Sequence, residues 1–409
     1  MGIIAVYASL ILLFSLPSVQ KALANWIADI LSEKLETRVE IGSVNLGFLN
    51  RVRVSDLTMF DHNGTQMLKV PHVSGSMNYF QIIRGNIHIS TAQLFSPTII
   101  IYSDSIGAEP NFQFVIDAFS SDSEEKTPLN VRVNTFILRH ANVSYDVKSE
   151  PHRQLVDSVQ GLYAIDVNHL KLTGVGMNLS LKTLTDDSLN LGIKRLSAKE
   201  LNSGLEVENM SFNLEANKSE ALLKKLSLNS HNSSFSIEKL RLFYSDFQKD
   251  GSFRFDPVQL RAMIVPSDFQ SLLPMLNKVH TPFHLIADVS GGSSNLNINR
   301  LHLSNPLGSI KVDAMSSVGI SDGKVENAEA YIKDVRVTVD GMKELLQGFG
   351  VTESISKPLV SLGDVDYTGE MNYYKGGISS VGQLNTTAGN IDYKAHMDTT
   401  RILTAHTNV

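Results

Sequence analysis

The chain of 409 residues has no cysteine and a single tryptophan. Without cysteine it has no disulfide framework, no thiol nucleophile and no cysteine-ligated zinc site. Charged residues make up 19% of the chain, which is below the roughly 25% of an average soluble domain. The net charge is −6 and no basic cluster occurs. This argues against nucleic acid as a partner, because a phosphate backbone is bound by stripes of Lys and Arg.

Motifs for common catalytic and cofactor sites are also missing. The segment Gly319–Lys324 is one residue too short for a phosphate-binding P-loop and lacks the following Ser or Thr, so we interpret it as a hairpin turn. No G-x-S-x-G or H-E-x-x-H pattern occurs. His280 and His284 are four residues apart, but Pro282 between them disfavours a helical metal pair. The sequence predicts a protein that is not an enzyme, with no cofactor and no metal site.

Long apolar runs are rare, and only the run at the N-terminus approaches the length of a membrane span. Extended to Val19, it nears the ~17 to 25 residues that a helix needs to cross a bilayer. We predict a transmembrane anchor over residues 1–19. Its apolar residues are Ile3, Ile4, Val6, Leu10, Ile11, Leu12, Leu13, Phe14 and Leu16.

Residues 20–37 carry apolar side chains at helical spacing and predict an amphipathic helix. Trp26 lies just beyond the apolar run, where an indole ring favours the membrane interface. The alternative is a cleaved signal peptide, because Ala22-Leu23-Ala24 fits an A-x-A cleavage site. However, no basic residue precedes Ile3, and cleavage after Ala24 would divide the amphipathic helix. The anchor is therefore favoured and the signal peptide is kept as the alternative.

After the helix the apolar period changes from 3.6 to 2, which predicts antiparallel strands separated by polar turns. We expect an N-terminal β module over residues 38–119, including a short helix near Phe112 and Phe119. An acidic linker or loop follows at 120–128. Residues 129–409 continue in strand pattern to the end of the chain and predict an elongated β-sheet groove, which we expect to be truncated at its C-terminus.

Two short amphipathic helices interrupt this pattern and are expected to close one end of a sheet. The first spans Ser267–Lys278 with a capping box from Ser267 to Gln270. The second spans Asp340–Phe349 with Asp340 as its N-cap. The predicted fold class is mainly β: a transmembrane and an amphipathic helix, then a long curved antiparallel sheet with a few short helices.

The N-terminal region resembles the AsmA/TamB (translocation and assembly module) family of bacterial envelope proteins, in the form found in Bacteroidetes. The resemblance is carried by the apolar run with LPSVQKAL and by the segments Val39–Phe48, Val54–Asp61 and Ile87–Pro97. It implies a single-pass inner-membrane anchor with the body in the periplasm, and a taco-shaped sheet lined with apolar residues. Two features depart from the family. No basic residue precedes the span, and we expect the chain to be truncated before the family's C-terminal module.

The resemblance also implies a role in outer-membrane biogenesis, through lipid transport between membranes or through assembly of outer-membrane proteins. The implied partners are a phospholipid or other envelope lipid, the inner membrane and an Omp85-type outer-membrane barrel protein. Candidate groove-lining residues are Met177, Leu179, Leu181, Leu189, Leu191, Ile193, Phe212, Leu214, Phe253 and Phe255. Two alternatives stay open: an envelope scaffold with a filled core that binds no lipid, and a secreted β-rich protein behind a cleaved signal peptide.

Overall fold

The computed structural model shows a mainly β protein with a few short helices. The described residues are 16–47, 51–77, 86–120, 130–152, 165–185, 187–245, 249, 251–272, 274–321, 324–374, 377–398 and 401–408. Most of the predicted anchor, residues 1–15, lies outside them, as does nearly all of the predicted linker at 120–128. Among the described helices, none combines the length and the apolar character needed to span a bilayer.

The described residues form four α-helices and twenty strands. The helices are α1 Pro17–Leu35, α2 Gln113–Ser120, α3 Val339–Gly348 and α4 Glu353–Ser361. The first ten strands are β1 Val39–Leu46, β2 Arg51–Phe60, β3 Gln66–Met77, β4 Asn86–Phe95, β5 Thr98–Ser103, β6 Asn130–Val147, β7 His169–Thr185, β8 Ser188–Glu200, β9 Glu206–Asn217 and β10 Glu220–Asn229. The others are β11 Ser234–Phe243, β12 Arg254–Ile264, β13 Phe283–Gly292, β14 Asn295–Ser304, β15 Ile310–Ser321, β16 Lys324–Val337, β17 Val365–Tyr374, β18 Gly377–Thr386, β19 Gly389–Asp398 and β20 Arg401–Asn408.

The strands are hydrogen-bonded into one sheet, largely in chain order and antiparallel. Parallel pairing occurs where β6 lies beside both β4 and β5. Both β4 and β5 pair with β3, each with a different part of it. They are separated at Ser96 and Pro97, where Ser96 has a positive φ. The chain returns to β6 through a connection that contains α2, because parallel neighbours cannot be joined by a tight hairpin. The predicted antiparallel order is therefore wrong at this position.

Helix α1 packs on the sheet through its smallest side chains. Ala24 is fully buried against Val44 and Val52 of β1 and β2. Pro17 occupies the first turn, where its missing N–H costs nothing. Glu36 ends the helix in a left-handed conformation. A helix lies in the region of the predicted amphipathic helix, but it spans Pro17–Leu35 rather than residues 20–37.

The chain divides into two compact units, Met1–Ser211 and Phe212–Val409, and the division falls within β9. The first unit has its main core around Val70, Leu94 and Leu138. The second has a smaller core around Val279, Phe283 and Ile310.

The two predicted short helices of the second unit differ from the expectation. The first is two 3-10 helices, Pro266–Phe269 and Pro274–Lys278, and the capping box is not formed. Pro274, within the expected helix, starts the second 3-10 segment, since proline cannot donate the hydrogen bond that an α-helix interior needs. The second is α3, but its N-cap is Thr338, whose hydroxyl accepts a hydrogen bond from the Gly341 N–H at 3.3 Å.

Candidate functional site

In the second unit, two rows of side chains cross strands β10 to β19 and form what we call the apolar face. Directly opposed residues of antiparallel strands share one face of the sheet, so the strand register defines each row. The first apolar row is Leu228, Phe235, Ala262, Leu285, Leu303, Val312, Val335, Tyr367, Leu384 and Ile391. The second is Leu226, Ile237, Leu260, Ala287, Leu301, Ala314, Ile332, Gly369, Gly382 and Tyr393. Neither row contains a charged residue.

The apolar face is only partly shielded from solvent. Ala287 is buried, whereas the other members of both rows are half-buried. Short helices cover its margin: Phe269 packs edge-to-face on Phe235, and Leu345 of α3 joins the core beside Leu303. The described strands all belong to one sheet. The partial burial of these side chains differs from the interior of a β-sandwich, where a facing sheet buries the inward side chains.

The opposite face of the same strands is charged and solvated. Lys311 contacts Asp313 and Asp334, both at 2.8 Å, and Arg336 contacts Asp366 at 2.7 Å. Burial acts to raise the pKa of Asp313, but hydrogen bonds from Lys311 and His302 outweigh it and lower that pKa. Because this face is in contact with water, the two faces of the unit have opposite character, as period-2 alternation predicts.

Polar atoms on the apolar face are paired with one another. The Tyr367 hydroxyl lies 2.7 Å from the Tyr393 hydroxyl, which is 2.9 Å from the Ser380 hydroxyl. Burial and the bond to Tyr393 raise the pKa of Tyr367 to about 12. The Tyr367 phenol therefore stays neutral near pH 7.

The first unit has a similar row, but it is more covered. This row runs through Val44, Val54, Val73, Leu94, Leu138, Met177 and Leu196. Leu94 and Leu138 are buried, and α1 packs over Val44 and Val54. The N-terminal strands of the first unit therefore contribute to an ordinary hydrophobic core.

Six of the ten candidate groove residues lie together on β7 and β8. Leu179 opposes Ile193 and Leu181 opposes Leu191, with Met177 and Leu189 on the same face. All six are half-buried. Met177 packs against the core of the first unit.

The other four candidates are more dispersed. Phe212 and Leu214 lie on β9, at the division between the units. Phe255 on β12 opposes Leu242, while Phe253 precedes that strand and is 38% exposed. The two rows from β10 to β19 were not among the candidates, although each strand alternates in the sequence, because only the register shows that these residues are neighbours.

Two carboxylates, Asp61 and Glu200, are buried, and both stabilise turns. Asp61, 3% exposed, accepts hydrogen bonds from the Tyr102 hydroxyl at 2.6 Å and from the Thr65 N–H at 2.8 Å. Glu200, also 3% exposed, accepts from the Ser203 N–H at 2.6 Å and hydroxyl at 2.7 Å. Burial alone would raise both pKa values, but these hydrogen bonds lower them. Both groups are therefore ionised structural acceptors.

Comparison of the chain with protein-family models, with curated proteins and with solved structures gave no significant match. Function is therefore inferred from the geometry of the apolar face and from the N-terminal resemblance.

Proposed function

We propose that this chain is an envelope protein of AsmA/TamB type that shields lipid acyl chains on the apolar face of its sheet. The observation that carries the proposal is the pair of uncharged, half-buried rows across β10 to β19. A protein that only needed a stable core would gain more from burying these side chains under a second layer.

The dimensions of the apolar face suit an acyl chain. Neighbouring strands are spaced by ~4.8 Å, so the ten strands β10 to β19 span about 43 Å in the hydrogen-bonding direction. One leaflet contributes about 15 Å, half of the ~30 Å hydrocarbon thickness of a bilayer. An acyl chain can therefore lie across several strands and keep its whole length on apolar side chains.

The energetic benefit comes from keeping methylene groups out of water. Each CH₂ covered is worth ~0.8 kcal/mol, so a lipid leaving a bilayer needs continuous apolar contact to avoid a large barrier. The tyrosine hydroxyls do not interrupt that contact, since they are already paired. No catalytic residue and no cofactor are required for such a role.

The N-terminal region supports a position at a membrane. Trp26 on α1 is 49% exposed, and the apolar run from Ile3 to Leu16 precedes it in the sequence. In this proposal the run anchors the chain in the inner membrane and the sheet lies in the periplasm. The cargo is a phospholipid or another envelope lipid, and an Omp85-type barrel is the partner at the outer membrane.

Site-specific photo-crosslinking in cells tests the proposal. A photoreactive amino acid is placed at Leu285 on the apolar face and, as a matched control, at the adjacent His284, which is exposed on the polar face. We expect a lipid adduct, identified by mass spectrometry, at Leu285 and none at His284. Equal labelling at both positions would contradict an acyl-chain surface. A protein adduct in place of lipid would favour the scaffold alternative, and N-terminal sequencing of the mature chain distinguishes an anchor from a cleaved signal peptide.

A further inference from the structure

A cluster of two histidines and two carboxylates lies at the end of the β6–β7 pair, in the first unit. Asp146 on β6 and His169, the first residue of β7, are directly opposed in the strand register. His152 and Asp166 belong to the connection between these strands. One side-chain ligand atom from each of Asp146, His152 and His169 lies within 4.8 Å of the others.

His169 is held in one orientation by its two ring nitrogens. It is only 7% exposed, and its Nδ1 lies 3.0 Å from a carboxylate oxygen of Asp166. Asp166 is itself fixed, because its other oxygen accepts a hydrogen bond from the Asn168 N–H at 3.2 Å. The other ring nitrogen, Nε2, is the one that lies near Asp146.

The other ring nitrogen of His169, Nε2, and a carboxylate oxygen of Asp146 lie 3.5 Å apart, which is longer than an ordinary N–H···O hydrogen bond. Two ligand atoms that are each ~2.1 Å from one tetrahedral ion lie about 3.4 Å apart. The observed separation therefore matches two ligands of a single ion.

His152 adds a second imidazole to the cluster. Its ring centroid lies 3.8 Å from that of His169, and its side chain is exposed and outside the strands. A ring nitrogen of His152 already lies within 4.8 Å of the ligand atoms of Asp146 and His169. A carboxylate behind a ligating histidine, as Asp166 is here, also commonly fixes the tautomer of a metal ligand.

We propose that Asp146, His152 and His169 bind a divalent transition-metal ion, with Asp166 as the positioning residue for His169. Two imidazoles and one carboxylate suit zinc, which takes such ligands in tetrahedral sites and leaves a fourth position to water. Calcium and magnesium prefer all-oxygen sites. The bound ion would tie the β6–β7 connection to the ends of both strands. This proposal does not depend on the lipid-binding function.

Zinc binding by the full-length chain in detergent micelles tests the site. Wild type is stripped with a chelator, dialysed against low-micromolar Zn²⁺ alone, and analysed for metal. We expect wild type to retain one equivalent more than the Asp146→Asn/His152→Ala double variant, whose side chains are partly or fully exposed. His302→Ala is the matched control, because His302 pairs with Asp313 at 2.6 Å but belongs to no three-ligand cluster in the described part of the chain. It should bind like wild type.

Two further readouts separate a built site from surface histidines. Co²⁺ should give the visible absorption of a four-coordinate ion in wild type and lose it in the double variant, while Asp166→Asn should weaken binding about 10- to 100-fold. If wild type retains no zinc, or no more than the double variant, the proposal is wrong. Should the double variant fail to fold by circular dichroism, the exposed His152→Ala single variant decides by the same comparison.

Discussion

Replacing Leu285 by aspartate places one charge in the middle of the apolar face. Leu285 opposes Ala262 on β12 and Leu303 on β14, so a carboxylate there interrupts the first row between two apolar neighbours. His284 is the matched position, since it is the adjacent residue, lies on the opposite face and is exposed. The substitutions Leu285→Asp and His284→Asp introduce the same carboxylate on the two faces of one strand.

The expected loss of lipid affinity follows from the contact removed. An acyl chain that crosses one strand places about four methylene groups over it, each worth ~0.8 kcal/mol of shielding. Displacing them into water costs about 3 kcal/mol, which corresponds to roughly 200-fold weaker binding. The cost in folding is smaller, about 1 to 2 kcal/mol, because Leu285 is only half-buried.

The assay is lipid bound per chain, measured by quantitative mass spectrometry after purification and by titration with a fluorescent phospholipid. We expect His284→Asp to equal wild type and Leu285→Asp to retain at least tenfold less lipid at unchanged circular dichroism. A folded Leu285→Asp protein that holds as much lipid as His284→Asp would show that acyl chains do not lie on this face. Leu285→Asn repeats the test without a charge if the aspartate variant does not fold.

The remaining predictions concern stability, measured by urea unfolding with circular dichroism. Asp61→Ala should cost about 3 kcal/mol, because it leaves the Tyr102 hydroxyl and backbone donors unpaired, whereas Asp104→Asn, with a side chain 78% exposed, should leave stability unchanged. The pKa of Asp61 is lowered in the folded protein. The stabilising contribution of its carboxylate is therefore fully present above the usual carboxyl pKa of ~4 and is lost as pH falls through the lowered pKa. We expect the stability of Asp61→Ala to fall less steeply with acidification than that of wild type. Thr338→Ala should cost about 1 kcal/mol through loss of the α3 cap. Leu345→Ala should cost about 2 kcal/mol through loss of packing on the core of the second unit.

Local patterns predicted most strands and helix α1, because the spacing of apolar residues along a segment follows the side of the strand or helix that is buried. The period-2 runs from residue 38 onward are strands, and the helical spacing after Val19 is α1. Local patterns could not show that Ala24 would be the most buried residue of that helix. Its burial depends on how closely α1 approaches β1 and β2, which the sequence of α1 alone does not specify.

Which residues of different strands lie side by side depends on the strand register, and local patterns could not predict it. Leu285 and Leu303 adjoin because β13 and β14 pair with a particular alignment, which includes a bulge between Asp288 and Val289. The cluster at the β6–β7 end shows the same limit. Asp146 and His169 are far apart in the sequence, and their spacing matches no metal-binding motif, so only strand pairing brings them together.

Glycine at two opposed positions explains how the apolar face accommodates its tyrosines. Gly369 on β17 opposes Gly382 on β18 in the second row. A Cβ at Gly369 would lie 2.4 Å from the Tyr367 hydroxyl oxygen, and one at Gly382 would lie 2.8 Å from the same ring. The ring therefore lies over the space that the missing side chains leave, and its hydroxyl reaches Tyr393. A larger residue at either position would displace the ring and unpair the hydroxyl, so both glycines are needed for a continuous, uncharged surface across these strands.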